Sequence, residues 1–353
     1  MEKKEKKIYY LDVLRAAAAL AVVMLHLASV NWFGYIGSFN WVVFTVVGGF
    51  MRFSVPVFFM MSGALFLRRE KEVSIRRIYT VYIFRLVVFL VFWAMMYQMY
   101  HLLARQTEGN IFLAAVKNIV KGDTQAHLWF VYAIIGLYLL VPVLKVFTDH
   151  ADKKQLLYAI LLGFLTTDIF PLLSRSSGTA AGILVSNYSR LCIYGMGSYV
   201  CFFLLGHYLH TYEISKRSRL LLYASGILGV GVIILKTLYL CIRDNTFHET
   251  YFSFVMPMMP SVILWSTAVF VYCKYTFVKE GRLAGLTKWL SGISLGIYGI
   301  HMLVIFVLQQ LGLSTLSFNA LLSLPVLFIA VTVISAGAAG LLKRIPALGK
   351  YVC

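Results

Sequence analysis

Charge is scarce in this chain. Asp, Glu, Lys and Arg together make up 13% of it, and the acids number 14 against 32 bases. A soluble domain carries about a quarter of its residues as charges, so a water-soluble fold is excluded. No gap between apolar runs is long enough to hold a folded polar domain. The cysteines are few: Cys192, Cys201, Cys241, Cys273 and Cys353 show neither metal nor disulfide spacing. They read as packing thiols, and no metal is expected. A Gly-rich phosphate loop with its Lys and a zinc-protease signature are also missing. The opening MEKKEKK resembles the start of a signal peptide. The apolar run behind it is too long and lacks a small-x-small cleavage site, so it is expected to stay as a first span.

What fills the chain instead is apolar surface. It is 60% hydrophobic, with a mean hydropathy of +0.81. That is the composition of a helical protein crossing a membrane many times. Runs of about 20 residues, the length needed to cross the hydrocarbon core, predict ten helices. They cover roughly 9–30, 40–66, 78–103, 127–147, 155–173, 189–211, 219–241, 252–273, 289–311 and 318–342. No repeat divides the chain, so 1–353 is expected to be one all-α membrane domain. The loop 104–126, with IFLAAVKNIVKG, is amphipathic enough to lie on the membrane as a partial cap.

The net charge of +18 points toward nucleic acid until the positions are counted. With the N-terminus inside, the cytoplasmic segments hold twenty-one Lys and Arg and the outer loops five (Arg105, Lys117, Lys121, Arg175, Arg243). The asymmetry places both termini in the cytoplasm. It explains the basic balance through anionic lipid, without nucleic acid.

Six bases remain inside spans: Arg15, Arg52, Arg85, Lys145, Arg190 and Lys236. Each costs about 2.5–3.5 kcal/mol at mid-membrane on insertion scales, so each asks for a reason. Arg85, Lys145 and Arg190 lie near span ends, where snorkelling is the plain account. Arg52 sits mid-span. Arg15 has Asp12 three residues before it as a possible partner. His26 follows Arg15 by eleven positions in the same span. Eleven steps end about 20° past three full turns, so the two side chains share a face, roughly 16 Å apart along the axis. A core histidine and a structural ion pair are the bland readings. A seam that holds a long anionic molecule is the functional one.

Further motifs accompany that pair. They are RFSVPVFFMMSGALFL with Arg52, Pro56, Ser62 and Gly63, then RRIYTVYIFRL with Arg76, Arg77 and Arg85, and HLWFVYAIIGLYLLVP from His127 and Trp129. FLLGHYL and SLGIYGIHMLV, the latter containing His301, complete the set. Together, in this order, they resemble the acyltransferase-3 family of bacterial membrane O-acyltransferases over nearly the whole chain. The resemblance implies a minimal membrane module, without an esterase-like or racemase domain. It implies transfer of an acetyl or other short acyl group from acetyl-CoA or a related acyl-CoA to hydroxyls of a cell-envelope glycan or glycolipid, in the bacterial inner membrane. It assigns Arg15 and His26 to the family's basic-x10-His pair, and Arg85 to the cytoplasmic start of the third helix. There the family's Arg-x-x-Arg is incomplete, because Tyr82 stands three before Arg85, and Arg76 or Arg77 would have to substitute.

The chemistry fits these residues. An imidazole titrates near working pH and can take a hydroxyl proton. His26, deep in its span, is the expected base. Arg15, Arg85 and Arg76 or Arg77 are the expected grip on the donor's phosphates. Arg52 is the expected oxyanion stabiliser, with Ser62 behind it. His127 and Trp129 read either as interfacial anchors or as an acceptor entrance, with Asp123 able to orient His127. His301 reads either as a structural hydrogen bond or as part of a polar outer pocket. Asp168 is an acid inside a span with no partner legible. His101, His150, His207, His210 and His248 are expected to be solvated. The competing reading is a transporter or exporter of a glycan or anionic metabolite, which would more often show repeated halves. The acceptor, the acyl group and the oligomeric state are not encoded in any of these patterns.

Overall fold

The computed structural model describes residues 8–106, 109–171, 197–247 and 259–353. Within them the chain is helical, with no strand. Seven helical segments are long and apolar enough to cross a membrane: Tyr9–Val30, Phe39–Phe66, Ile75–Leu103, Ala126–His150, Lys216–Asp244, Ala284–Gln310 and Ala320–Lys343. The protein is a multi-pass membrane protein. The other three expected spans appear as shorter helices, Lys153–Phe164, Ser198–Thr211 and Pro260–Thr276. The expected starts at 189 and 252, with Arg175, Arg190, Cys192 and His248, lie outside the described residues.

In chain order the helices are α1 (Tyr9–Val30), α2 (Phe39–Met51), α3 (Ser54–Phe66), α4 (Phe84–Leu103), α5 (Ile111–Lys121), α6 (Trp129–His150) and α7 (Lys153–Phe164). They continue as α8 (Ser198–Thr211), α9 (Lys216–Asp244), α10 (Pro260–Thr276), α11 (Ala284–Gln310), α12 (Ala320–Lys343) and α13 (Pro346–Val352). Local chemistry sets many of the boundaries. Asp152 and Gln155 close a capping box at the start of α7, the Asp152 carboxylate accepting the Lys154 and Gln155 amides at 2.7 and 2.8 Å. Asn110 caps the start of α5, and Gly122, at φ +70°, ends it in the left-handed conformation that glycine adopts without strain. The expected cap over 104–126 is thus the helix α5. Phe112, Leu113, Val116 and Val120 are exposed, while Ala115 is buried.

The expected span 40–66 is present as Phe39–Phe66, but regular helix is interrupted within it: α2 stops at Met51 and α3 begins at Ser54. Pro56 is the reason. It has no N–H for the carbonyl four residues back, which is Arg52, and its ring crowds that carbonyl. The regular helix breaks there, with Arg52 buried at the break.

α1 is the centre of the bundle, packing against α2, α3, α10, α11 and α12. Its small buried residues Ala16, Ala18, Ala19 and Ala21 let those neighbours come close. The closest backbone approach is between α3 and α8. A Cβ on Gly63 would sit 1.8 Å from the Phe203 carbonyl oxygen, and one on Gly206 would sit 1.9 Å from that of Met60. At the end of the bundle that carries Tyr9 and the basic loops, Lys274 of α10 donates to the Leu209 and Tyr212 carbonyls at 2.9 and 3.0 Å. Beside it the Tyr275 hydroxyl donates to Glu213 at 2.7 Å and holds that carboxyl below its ordinary pKa.

Gly63→Leu is expected to abolish the α3–α8 contact, because backbone cannot retreat as a side chain does. The loss should exceed the usual 1–3 kcal/mol of core overpacking, roughly. Gly136→Ala, where a Cβ meets nothing within 4 Å, should be neutral. Thermal unfolding of the two variants in detergent, followed by monodispersity, checks the contrast.

Candidate active site

Two polar rungs join α1 to α11, which run parallel. At the basic end Arg15 Nη1 donates to Ser291 Oγ at 3.2 Å, and Ser291 in turn donates to Asp12 Oδ1 at 2.7 Å. Arg15 lies 3.8 Å from the same carboxylate oxygen. The expected Arg15–Asp12 pair therefore exists, with a serine from another helix between its partners. The second rung lies eleven residues on. There His26 Nδ1 is 3.1 Å from His301 Nε2 and 2.9 Å from the Val22 carbonyl oxygen. Arg15 and His26 do share one face of α1, as their spacing requires.

His127 completes a cluster of three imidazoles drawn from three parts of the chain. Ring centroids are 4.9 Å apart for His26 and His301, 5.3 Å for His127 and His301, and 6.1 Å for His26 and His127. His301 is fully buried and His127 is 4% exposed, whereas His26 is only partly covered. Tyr97 of α4 donates its hydroxyl proton to the Gly299 carbonyl at 2.8 Å and stands 3.4 Å from His127 Nε2. The Tyr298 hydroxyl donates to the His127 carbonyl. Among the described residues no group of three His, Cys, Asp or Glu side chains is placed to hold a metal ion.

A cavity of about 430 Å³ opens below this cluster. Arg15, Arg85, Tyr82, Ser291 and Cys353 line its basic end, Ser62 and Tyr138 its middle, and Val22, Phe130 and Tyr298 its deep end. His26 is not among its walls. The cavity stops one helical turn short of that residue, at Val22, whose carbonyl braces the His26 ring.

The remaining sequence candidates divide. Arg85 faces the cavity, where its guanidinium donates to the Cys353 carbonyl. Arg76 and Arg77 are exposed in the first turn of the helical segment Ile75–Leu103 and are not in the cavity's lining. Tyr82, the residue that breaks the Arg-x-x-Arg pattern, is in the wall instead. Arg52 is buried, close enough to His26 for its charge to act on the ring. Trp129 stacks on Tyr199 of α8 at 5.8 Å, away from the imidazoles. Asp168 is buried and accepts from Thr167 at 2.8 Å. His207 is buried, and His210 pairs with Tyr10 at 2.5 Å, so neither is solvated as expected. The segment FLLGHYL meets α3 directly, and a helix face packed this closely excludes water.

Sequence reasoning missed Ser291, Tyr97 and Tyr298. Ser291 and Tyr298 stand ten and three positions before His301 on α11. Their partners lie more than 150 residues away in the chain, a separation that no local pattern exposes.

Comparison with known proteins gives one match. A family model described as an acyltransferase domain, that of acyltransferase-3, matches residues 8–341. The chain belongs to the acyltransferase-3 family. No curated protein and no solved structure matches it. This acyltransferase thus carries the basic-x10-His pair of its first helix at the two rungs of the α1–α11 seam. The transporter reading is not favoured by the match.

Ser291→Ala in the acyltransferase removes the hydroxyl that joins Arg15 to Asp12. A loss of about 1 kcal/mol is expected for a partly buried hydrogen-bond node. Denaturant unfolding in mixed micelles, with Ser291→Thr as the hydroxyl-keeping control, measures it.

Proposed function

We propose that the protein is an O-acetyltransferase of the bacterial inner membrane, with ten spans and both termini in the cytoplasm. It moves an acetyl group from cytoplasmic acetyl-CoA to a hydroxyl of a cell-envelope glycan or glycolipid. The observation that carries this reading is the cavity between Arg15, Arg85 and the residues that brace His26. The family membership and the basic loops at one end support it. So does the parallel course of α1 and α11, which the first and ninth of ten alternating spans must have.

Coenzyme A has its phosphates at one end and its thiol at the end of a long pantetheine arm. Arg15 and Arg85 grip the phosphates by charge-assisted hydrogen bonds, and Arg85 exchanges the Cys353 carbonyl for a phosphate oxygen. The arm lies along α1, whose Arg15-to-His26 rise of about 16 Å matches its length order. Ser62 and Tyr138 flank it. The thioester passes Val22 and reaches His26 after a small rearrangement at Phe130 or Tyr298.

His26 Nε2 takes the proton of the acceptor hydroxyl, and the oxygen attacks the thioester carbonyl. Arg52 stabilises the oxyanion. The C–S bond then breaks, and the departing thiolate takes the proton from the imidazolium. Atoms and charge balance without a covalent acyl-enzyme. In this reading His127, held against Tyr298 and Tyr97 in the imidazole cluster, belongs to the acceptor side of the site.

The test is calorimetry of acetyl-CoA with purified protein in detergent, beside thiol release in bilayers with methyl glucoside as the sugar hydroxyl. Arg15→Ala should weaken binding at least tenfold, about the loss of 1.4 kcal/mol or more. His26→Ala should keep the affinity and lower thiol release by about 10²–10⁴-fold. Preserved turnover in His26→Ala, or no binding to folded wild type, would overturn the reading.

A further inference from the structure

We infer that His301 is a positioning residue that sets the tautomer of His26, leaving His26 Nε2 as the bare lone pair of the site. This rests on the reading of His26 as the base, and adds a residue and a proton arrangement to it.

The argument runs through atoms that can only accept. His301 Nδ1 lies 2.8 Å from the Tyr298 carbonyl and 3.2 Å from that of Ile297. Carbonyl oxygens have no proton to give, so Nδ1 of His301 carries one. A neutral imidazole with its proton on Nδ1 has a lone pair on Nε2. That lone pair faces His26 Nδ1 at 3.1 Å. His26 Nδ1 therefore carries a proton too, and the Val22 carbonyl at 2.9 Å is a second acceptor for it. The proton on His26 Nδ1 is shared between the Val22 carbonyl and His301 Nε2, in a three-centre bond.

The only ring nitrogen left to His26 is Nε2. It has no hydrogen-bond partner among the described residues, and His26 is the one of the three imidazoles that is partly rather than fully buried. A base must present a lone pair to its substrate, and the wrong tautomer presents a proton. Two acceptors on one proton make the productive tautomer the favoured one. When Nε2 takes a proton, the charge is spread toward His301 Nε2 and the Val22 carbonyl. His301 does this from a fully buried position behind His26 and never meets the substrate.

The helix α11 carries the whole device. The carbonyl that orients His301 belongs to Tyr298, whose hydroxyl holds the His127 backbone and whose ring lines the deep end of the cavity. One turn of one helix thus ties the donor cavity to the tautomer of the base.

The experiment uses full-length protein labelled with [15N]histidine in bilayers, where nuclear magnetic resonance separates protonated from bare ring nitrogens. His26 is assigned by the signals missing in His26→Ala. In the wild type, His26 should show a protonated Nδ1 and a bare Nε2, coupled through the short contact to a bare Nε2 of His301. His301→Ala should give His26 a mixture of tautomers. His301→Gln, whose side-chain oxygen can accept the same proton, should restore the single form. Thiol release from acetyl-CoA should fall at least about tenfold in His301→Ala with KM nearly unchanged, and recover in His301→Gln.

A wild-type His26 protonated on Nε2 would overturn the inference whether or not either variant folds. So would a His301→Ala protein whose His26 keeps a single Nδ1–H tautomer, since Val22 alone would then suffice. These results are separate from the fate of the base itself. If His26→Ala keeps full turnover while the wild-type tautomer is as described, the assignment of the base fails and the proton arrangement stands.

Discussion

A membrane offers no water to a polar side chain, so whatever the apolar runs carry inward must be met by another helix. That constraint organises this bundle more than any apolar contact does. Arg15 and His26 each cross to α11, one to a hydroxyl and the other to an imidazole. The two crossings fix the register of α1 against α11 at points eleven and ten residues apart on the two helices. Lipid-facing residues such as Val143, Leu228 and Val333 have no such demand on them and specify little.

The same constraint explains why the candidate active site is buried yet chemically open. Each polar group is satisfied on one side only: Arg15 toward Ser291, Arg85 toward Cys353, and His26 toward Val22 and His301. Arg15 and Arg85 reach into the cavity with the rest of their hydrogen-bonding capacity. A guanidinium has five donors, so one bond to the protein leaves it able to take a phosphate oxygen. Burial without full satisfaction is costly for stability, and such departures from local rules are found chiefly at functional sites.

Much of this was legible in the chain. Span length and hydropathy located the helices, and the eleven-residue spacing put Arg15 and His26 on one face before any coordinate was known. Asp12 was recognisable as a partner of Arg15 because i,i+3 contacts are local. The break in regular helix at Arg52 was also written in the sequence, in Pro56, but hydropathy does not register a missing N–H. What was not legible is which distant helix answers each polar group. Ser291, Tyr97 and Tyr298 carry no mark of their partners in their own neighbourhoods. Arg76 and Arg77 stood in the right stretch but are exposed at the start of the helical segment Ile75–Leu103, which a count of bases cannot see. His207 and His210 looked like span-end residues facing water. The close approach of α3 and α8 depends on Gly63 meeting the Phe203 backbone and Gly206 that of Met60, and neither motif names the other as its partner.

That meeting has a mechanical consequence. Where α3 and α8 touch, backbone rests on backbone, and no rotamer change can widen the gap. On the opposite wall of the cavity, α4 meets α11 through the Trp93 and Tyr97 side chains laid over Gly299, and meets the last residue through Arg85. Side chains turn on far shorter timescales than packed helices slide. Of the two contacts, the one between α4 and α11 can loosen by side-chain rotation, and the one between α3 and α8 cannot.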